Sequence, residues 1–335
     1  MIDFRYHLVS IVAIFLALAT GIVIGTTALN GPVTEALQNG NNSLRNELNS
    51  LRSQNGALQQ QLNAAGTFGQ AAAPRLLAHL LTGQRVVVID APGSSGQVQQ
   101  GVTTMLQQAG ATIGGQIQLQ DKFFDTSATT LAELDQLSQS LTPPNVTLTG
   151  NSPQQRAAQV LAGAITTKAF PGLKDFTSQN VVSTFAGGGF LTTSGQPAAR
   201  ATLAVVITPA NPLTGPNSAT TNQSLTDVAA AVNSTSLAAV MAGPASSTQA
   251  GGAIAALRAS TSANQVSSVD NADETFGQIV VAQVLAEQIG TQAPGSYGTT
   301  GANGIGPSPM PTATATDTGS PSPTPVKSAK AGSQQ

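Results

Sequence analysis

Residues 8–34 contain no ionisable side chain, and residues 8–29 (LVSIVAIFLALATGIVIGTTAL) are almost wholly apolar. At a helical rise of about 1.5 Å per residue this stretch is roughly 33 Å long, enough to cross a bilayer core of about 30 Å. A secretory signal peptide has a shorter apolar region, about 7–15 residues, before its cleavage site. Thr26-Thr27-Ala28 offers such a site, but the length favours an uncleaved anchor. Arg5 and the amino terminus precede the stretch, and the first charge after it is Glu35. That asymmetry places the amino terminus in the cytoplasm and the remainder outside it, as a single-pass cell-membrane protein.

The composition fits export. No cysteine is present, which removes disulfides and thiolate metal sites. A net charge of −2 argues against nucleic acid as a partner. Charged residues make up only 8 % of the chain, against about 25 % in ordinary soluble domains.

Ala13, Ala17, Gly21 and Gly25 recur every fourth residue and share one face of the anchor helix. Small residues so spaced let two membrane helices approach closely, although both residue types are common in membrane helices generally. After Gly31-Pro32 the spacing becomes heptad-like. Leu37, Leu44, Leu51 and Leu58 occupy d positions, and Thr34, Asn41, Leu48, Asn55 and Leu62 occupy a. Asn at a favours a two-stranded, in-register coil. Glu47 at g then meets Arg52 at e of the partner. Gly40 and Gly56 weaken the helix by about 1 kcal/mol each. A parallel homodimer is expected, with Ala17, Gly21, Gly25, Asn41, Leu44, Leu48, Leu51, Asn55 and Leu58 at its interface. The competing arrangement is an amphipathic helix folded back on its own domain.

Beyond residue 66 the pattern alternates between strands and helices. RVVVID (residues 85–90) is a β-branched run of the kind buried in parallel sheets, followed by a turn, a helix over 97–108 and a strand over 111–119. Further helices are expected over 131–140, 153–168, 176–185, 224–232, 247–260 and 274–289. Strands are expected over 189–193, 203–208, 237–242 and 266–269. This order predicts a three-layer α/β domain with a mainly parallel sheet. The organisation is therefore an anchor over 1–30, a coiled-coil stalk over 31–66, an extracytoplasmic α/β domain over 67–291 and a tail over 292–335. The tail, rich in Pro, Ser, Thr and Gly, is expected to be disordered, and Pro alternating with Ser and Thr suggests an extended arm, glycosylated or inert.

Sites of chemistry are scarce. Ligands in such sheets sit at the carboxyl ends of strands, which directs attention to Asp90, Gly93 and Gly96. The loop lacks G-x-G-x-x-G spacing and a following Lys, and a tight turn explains its glycines. Asp270, Asn271, Asp273 and Glu274 lack the ligand spacing of a calcium loop. An Asp or Asn capping the helix that starts near Glu274 explains them better. Of the two histidines, His7 adjoins the anchor and only His79 lies beyond it, so no Ser-His-Asp set is available. No G-x-S-x-G elbow occurs. No catalytic, cofactor or metal residues are assigned, and an enzyme is not expected.

MIDFRYHLVSIVAIFLALATGIVIGTTALNGPV, the Asn/Leu heptads, RVVVIDAPG, GGGFLTTSG and VDNADETFGQIVVAQVLAEQIG ending near Tyr297-Gly298 resemble the actinobacterial copper transport protein B (MctB) family. The resemblance spans about residues 1–298 and implies a role in copper efflux or homeostasis, with copper as a transported ion. It also extends to corynebacterial relatives that regulate a peptidoglycan hydrolase in cell separation. That leaves a second reading, a dimeric non-enzymatic scaffold with an envelope protein as partner. Copper(I) prefers thiolate or thioether and copper(II) imidazole. Met1, Met105, Met241 and Met310 are scattered and the histidines isolated, so any effect on copper is expected to be indirect.

Overall fold

Burying both faces of a parallel sheet needs helices on both sides, and the chain supplies them in order. The structure, a computed structural model, describes residues 4–142, 147–173 and 175–312. Of the tail expected over 292–335, residues 313–335 lie outside the described residues.

The chain divides into two units, Met1–Ala65 and Gly66–Gln335. The first consists of helix α1 (Phe4–Leu76), whose last residues belong to the second unit. The helical backbone continues through Gly31-Pro32, where the pattern placed a boundary. Proline removes one intrahelical hydrogen bond, and long helices absorb that loss. Within α1, Tyr6–Thr26 is long and apolar enough to span a membrane, with a mean hydropathy of 2.7.

In the second unit α1 gives way to β1 (Arg85–Asp90), α2 (Gly96–Gln108), β2 (Thr112–Leu119), the short α3 (Asp121–Phe124) and α4 (Ala128–Leu141). Next come α5 (Pro153–Ile165), α6 (Phe176–Gly187), β3 (Leu191–Gly195), β4 (Leu203–Ile207) and α7 (Ser218–Thr235). The chain continues with β5 (Ala238–Ala242), α8 (Ala253–Ala259), β6 (Ser267–Val269), α9 (Thr275–Thr291) and β7 (Ser296–Tyr297). The sheet order is β3-β2-β1-β4-β5-β6-β7. Every pair is parallel except β2–β3, where the polar edge strand LTTSG runs antiparallel.

Alternation along the strands splits the core in two. Val87, Ile89, Val206 and Met241 pack beneath α4, α5, α6, α7 and α8. Val86, Val88, Val205 and Val240 pack against α2, α9 and the end of α1. The expected three layers and mainly parallel sheet are thus present.

Three local expectations change. The single helix expected over 247–260 is a 3-10 turn (Ala245–Thr248) and then α8, separated at Gly251, whose φ is +83°. The Gly251 carbonyl accepts the Leu213 amide (2.9 Å) and Asn222 Nδ2 (2.8 Å), an approach that a continuing helix would forbid. No Asp or Asn caps α9: the capping position is Glu274, which makes no side-chain capping bond, and its amide donates to the Asn271 carbonyl. Residues 296–301, assigned by composition to the tail, are built into the domain. Ser296 and Tyr297 pair with Ser268 and Val269, and the Tyr297 hydroxyl donates to Glu287.

A buried carboxylate locks that last strand. Asp270 is fully buried and accepts the Thr299 amide (2.7 Å) and hydroxyl (3.0 Å), the Thr300 amide (3.0 Å) and hydroxyl (2.5 Å), and Arg258 Nη1 (2.9 Å). Arg258 also donates to the Tyr297 carbonyl (2.9 Å) and Ser268 Oγ (3.0 Å), so one side chain of α8 ties β6 to β7. Burial acts to raise the Asp270 pKa, but the Thr300 and Arg258 bonds outweigh it and hold the group below the usual carboxylate range. Its contribution to stability is therefore present at neutral pH and is lost as acid protonates it. Removing the cation leaves a buried charge unpaired. Arg258→Met should cost about 3–5 kcal/mol in urea denaturation of the purified chain at pH 7, and proteolysis should then begin near residues 296–301.

Candidate functional site

The chain leaves β1 for β2 in one direction and returns to β4 on the other side of β1. The β1–β2 crossover, α2, covers one face, whereas α7, after β4, covers the other. Where strand order reverses in this way, the loops at the carboxyl ends separate and leave a crevice. A cavity of about 520 Å³ lies there, lined by Ala91, Pro92 and Gly93 after β1, by Pro209, Leu213 and Thr214 after β4, and by residues of α3 and α7.

Backbone bonds stitch its floor. The Ala91 amide donates to the Ile207 carbonyl and the Ala210 amide to the Gly93 carbonyl, each at 2.9 Å, and Ser94 bridges to Pro209. Gly93 has a φ of +74°, the left-handed turn that its residue type suggested.

Asp90, the residue singled out on this strand, does not line the crevice. Alternation turns it to the opposite face, where Gln99 Nε2 of α2 donates to Oδ2 at 2.6 Å. Among the described residues Oδ1 has no hydrogen-bond partner. Burial pushes this carboxyl up to about 6, with the Gln99 bond pulling the other way.

The expected interface residues lie along α1. Ala17, Gly21 and Gly25 lie within the apolar span. Asn41, Leu44, Leu48, Leu51, Asn55 and Leu58 are exposed and, at three- and four-residue spacing, share one helix face. The leucines at 37, 44, 48, 51, 58 and 62 are 44–69 % exposed.

Among the described residues the methionines do not converge. Met105 and Met241 are buried in the two separate clusters on opposite faces of the sheet, while Met310 is exposed. Among the described residues no three His, Cys, Asp or Glu side chains gather closely enough to hold a metal ion. Asp270 is committed to Arg258, Thr299 and Thr300, as described above.

Residues 1–307 match the family described as copper transport outer membrane protein, MctB. The chain belongs to that family. It is 26 % identical over 306 residues to proteins named copper transporter MctB from Mycobacterium tuberculosis and Mycobacterium bovis, and 28 % identical over 308 residues to one from Mycobacterium leprae. Each alignment covers 89 % of this chain and 96 % of the relative. The MctB match runs past β7 and the residues that hold Asp270, so the edge strand belongs to the family's region of similarity rather than to a variable tail.

The position of Asp90 carries a pH signature. Its folded pKa lies above its ordinary 3.8, so the folded state binds the proton more tightly and stability rises as pH falls from above 6 towards 4. Asp90→Asn keeps an acceptor for Gln99 and removes the buried charge. It should stabilise the chain by about 1–3 kcal/mol at pH 7.5, and the gain should vanish near pH 4 in denaturant titrations.

Proposed function

We propose that the chain is a membrane-associated component of copper homeostasis in the cell envelope, with its α/β domain outside the cytoplasm. Membership of the MctB family carries this reading, and the apolar Tyr6–Thr26 span supports membrane attachment. The names of the mycobacterial relatives favour copper over the cell-separation reading. The buried methionines, and the lack of a thiolate anywhere in the sequence, favour an influence on copper handling that does not depend on a resident copper site. The reading needs no enzymatic step.

The stalk is proposed to pair two copies in parallel. Large apolar side chains in one stripe, exposed in a single chain, are what a second helix would cover. Asn41 and Asn55 at a would set the register, and Ala17, Gly21 and Gly25 would continue the contact into the membrane. The division is then anchor, stalk, domain and arm, with the domain extended past residue 291 to include β7.

Loss of the chain should make its host hypersensitive to copper and raise cell-associated copper. The full chain should restore tolerance, and a version without residues 1–30 should not; unchanged tolerance on loss would remove the copper role. Leu48→Pro with Leu51→Pro should convert a detergent-solubilised dimer to a monomer in sedimentation equilibrium. A wild-type monomer would exclude the paired stalk.

A further inference from the structure

We propose that the crevice between the β1 and β4 loops binds a small organic cation, an amine with an apolar body. Its volume of about 520 Å³ falls within the roughly 300–1,000 Å³ of pockets that take small molecules. The site arises from the sheet's order reversal and does not rest on the copper reading.

The lining specifies the chemistry. Pro92, Phe124, Pro209, Leu213 and Leu225 present apolar surface, so a hydrocarbon or aromatic body gains by leaving water. Asp121 and Asp125 contribute the only formal charges of the lining, and no Lys, Arg or His balances them there. Lys122 turns away: its Nζ lies 2.9 Å from Glu133 Oε2 and 4.6 Å from the Phe190 ring centroid. The Asp125 oxygens accept the Ser127 amide and the Ser127 and Thr130 hydroxyls, which hold that carboxyl down at about 2. The Asp121 carboxylate is exposed and makes no hydrogen bond or ion pair with the described residues, so its oxygens remain available to an ammonium group.

The opposing influence is weaker. Asn217 and Ser218 open α7 at the crevice wall, and a helix start carries a positive end equivalent to about half a charge, which favours anions. Two carboxylates exceed it in magnitude. Phosphates and nucleotides are therefore disfavoured here on charge as well as on loop sequence.

The test uses the full chain in detergent and three probes that share one body: 3-phenylpropylamine, 3-phenylpropanol and 3-phenylpropanoate, titrated by calorimetry. The expected order of affinity is amine, then alcohol, then carboxylate. Asp121→Asn should weaken the amine about tenfold, the scale of one hydrogen bond to a charged group, and leave the alcohol unchanged. Thr221→Trp, which fills the crevice from α7, should abolish binding of amine and alcohol alike, with its thermal midpoint measured to confirm folding. Binding of the carboxylate as tight as the amine, amine binding unchanged in both folded variants, or no amine binding up to about 5 mM (weaker than roughly −3 kcal/mol) would each overturn the proposal.

Discussion

A parallel sheet cannot leave either face to water, and that requirement organises the second unit. The residues of β1 and β4 are hydrophobic on both sides, so each crossover must return a helix to one face or the other. The sequence divides them, with α2, α9 and the end of α1 on one side and α4 to α8 on the other. Because successive crossovers use different faces, strand order reverses beside β1. The crevice is a by-product of that reversal, and its walls are the turns that the reversal forces apart.

The far edge of the sheet has a different problem. β6 has three residues and β7 two, too short for ladder hydrogen bonds alone to hold them. Asp270 and Arg258 supply what the ladder lacks. Arg258 reaches a hydroxyl on β6 and a carbonyl on β7, while Asp270 gathers the amides and hydroxyls of the turn beyond. A carboxylate this deeply buried needs its extra hydrogen bonds, because Coulomb attraction alone seldom offsets the loss of water. The acidic run 270–274 is thus accounted for by architecture at its first member.

Membership of the MctB family and the apolar span support membrane association. Softness of ligand decides copper chemistry, and the two soft side chains of the domain core, Met105 and Met241, serve as packing on opposite sides of the sheet. Asp90 shows the same separation of strand end from site. It terminates β1 as a functional residue would, yet faces α2, and its raised pKa reflects burial rather than a ligand.

What could be read directly were features encoded within a few residues of themselves. An unbroken apolar run and β-branched runs alternating with helical periodicity identify the span and nearly every strand and helix, because side-chain period reports the local surface to be covered. Three things were not local. The interruption at Gly251 depends on Leu213 and Asn222 claiming its carbonyl, and the strand at Ser296–Tyr297 depends on Asp270 and Arg258 far upstream. The crevice depends on turns some 120 residues apart, 91–93 and 209–214, meeting where the strand order reverses. Periodicity determines which face of an element is apolar; only folding decides which distant backbone groups meet, since that is set by the order of strands across the sheet.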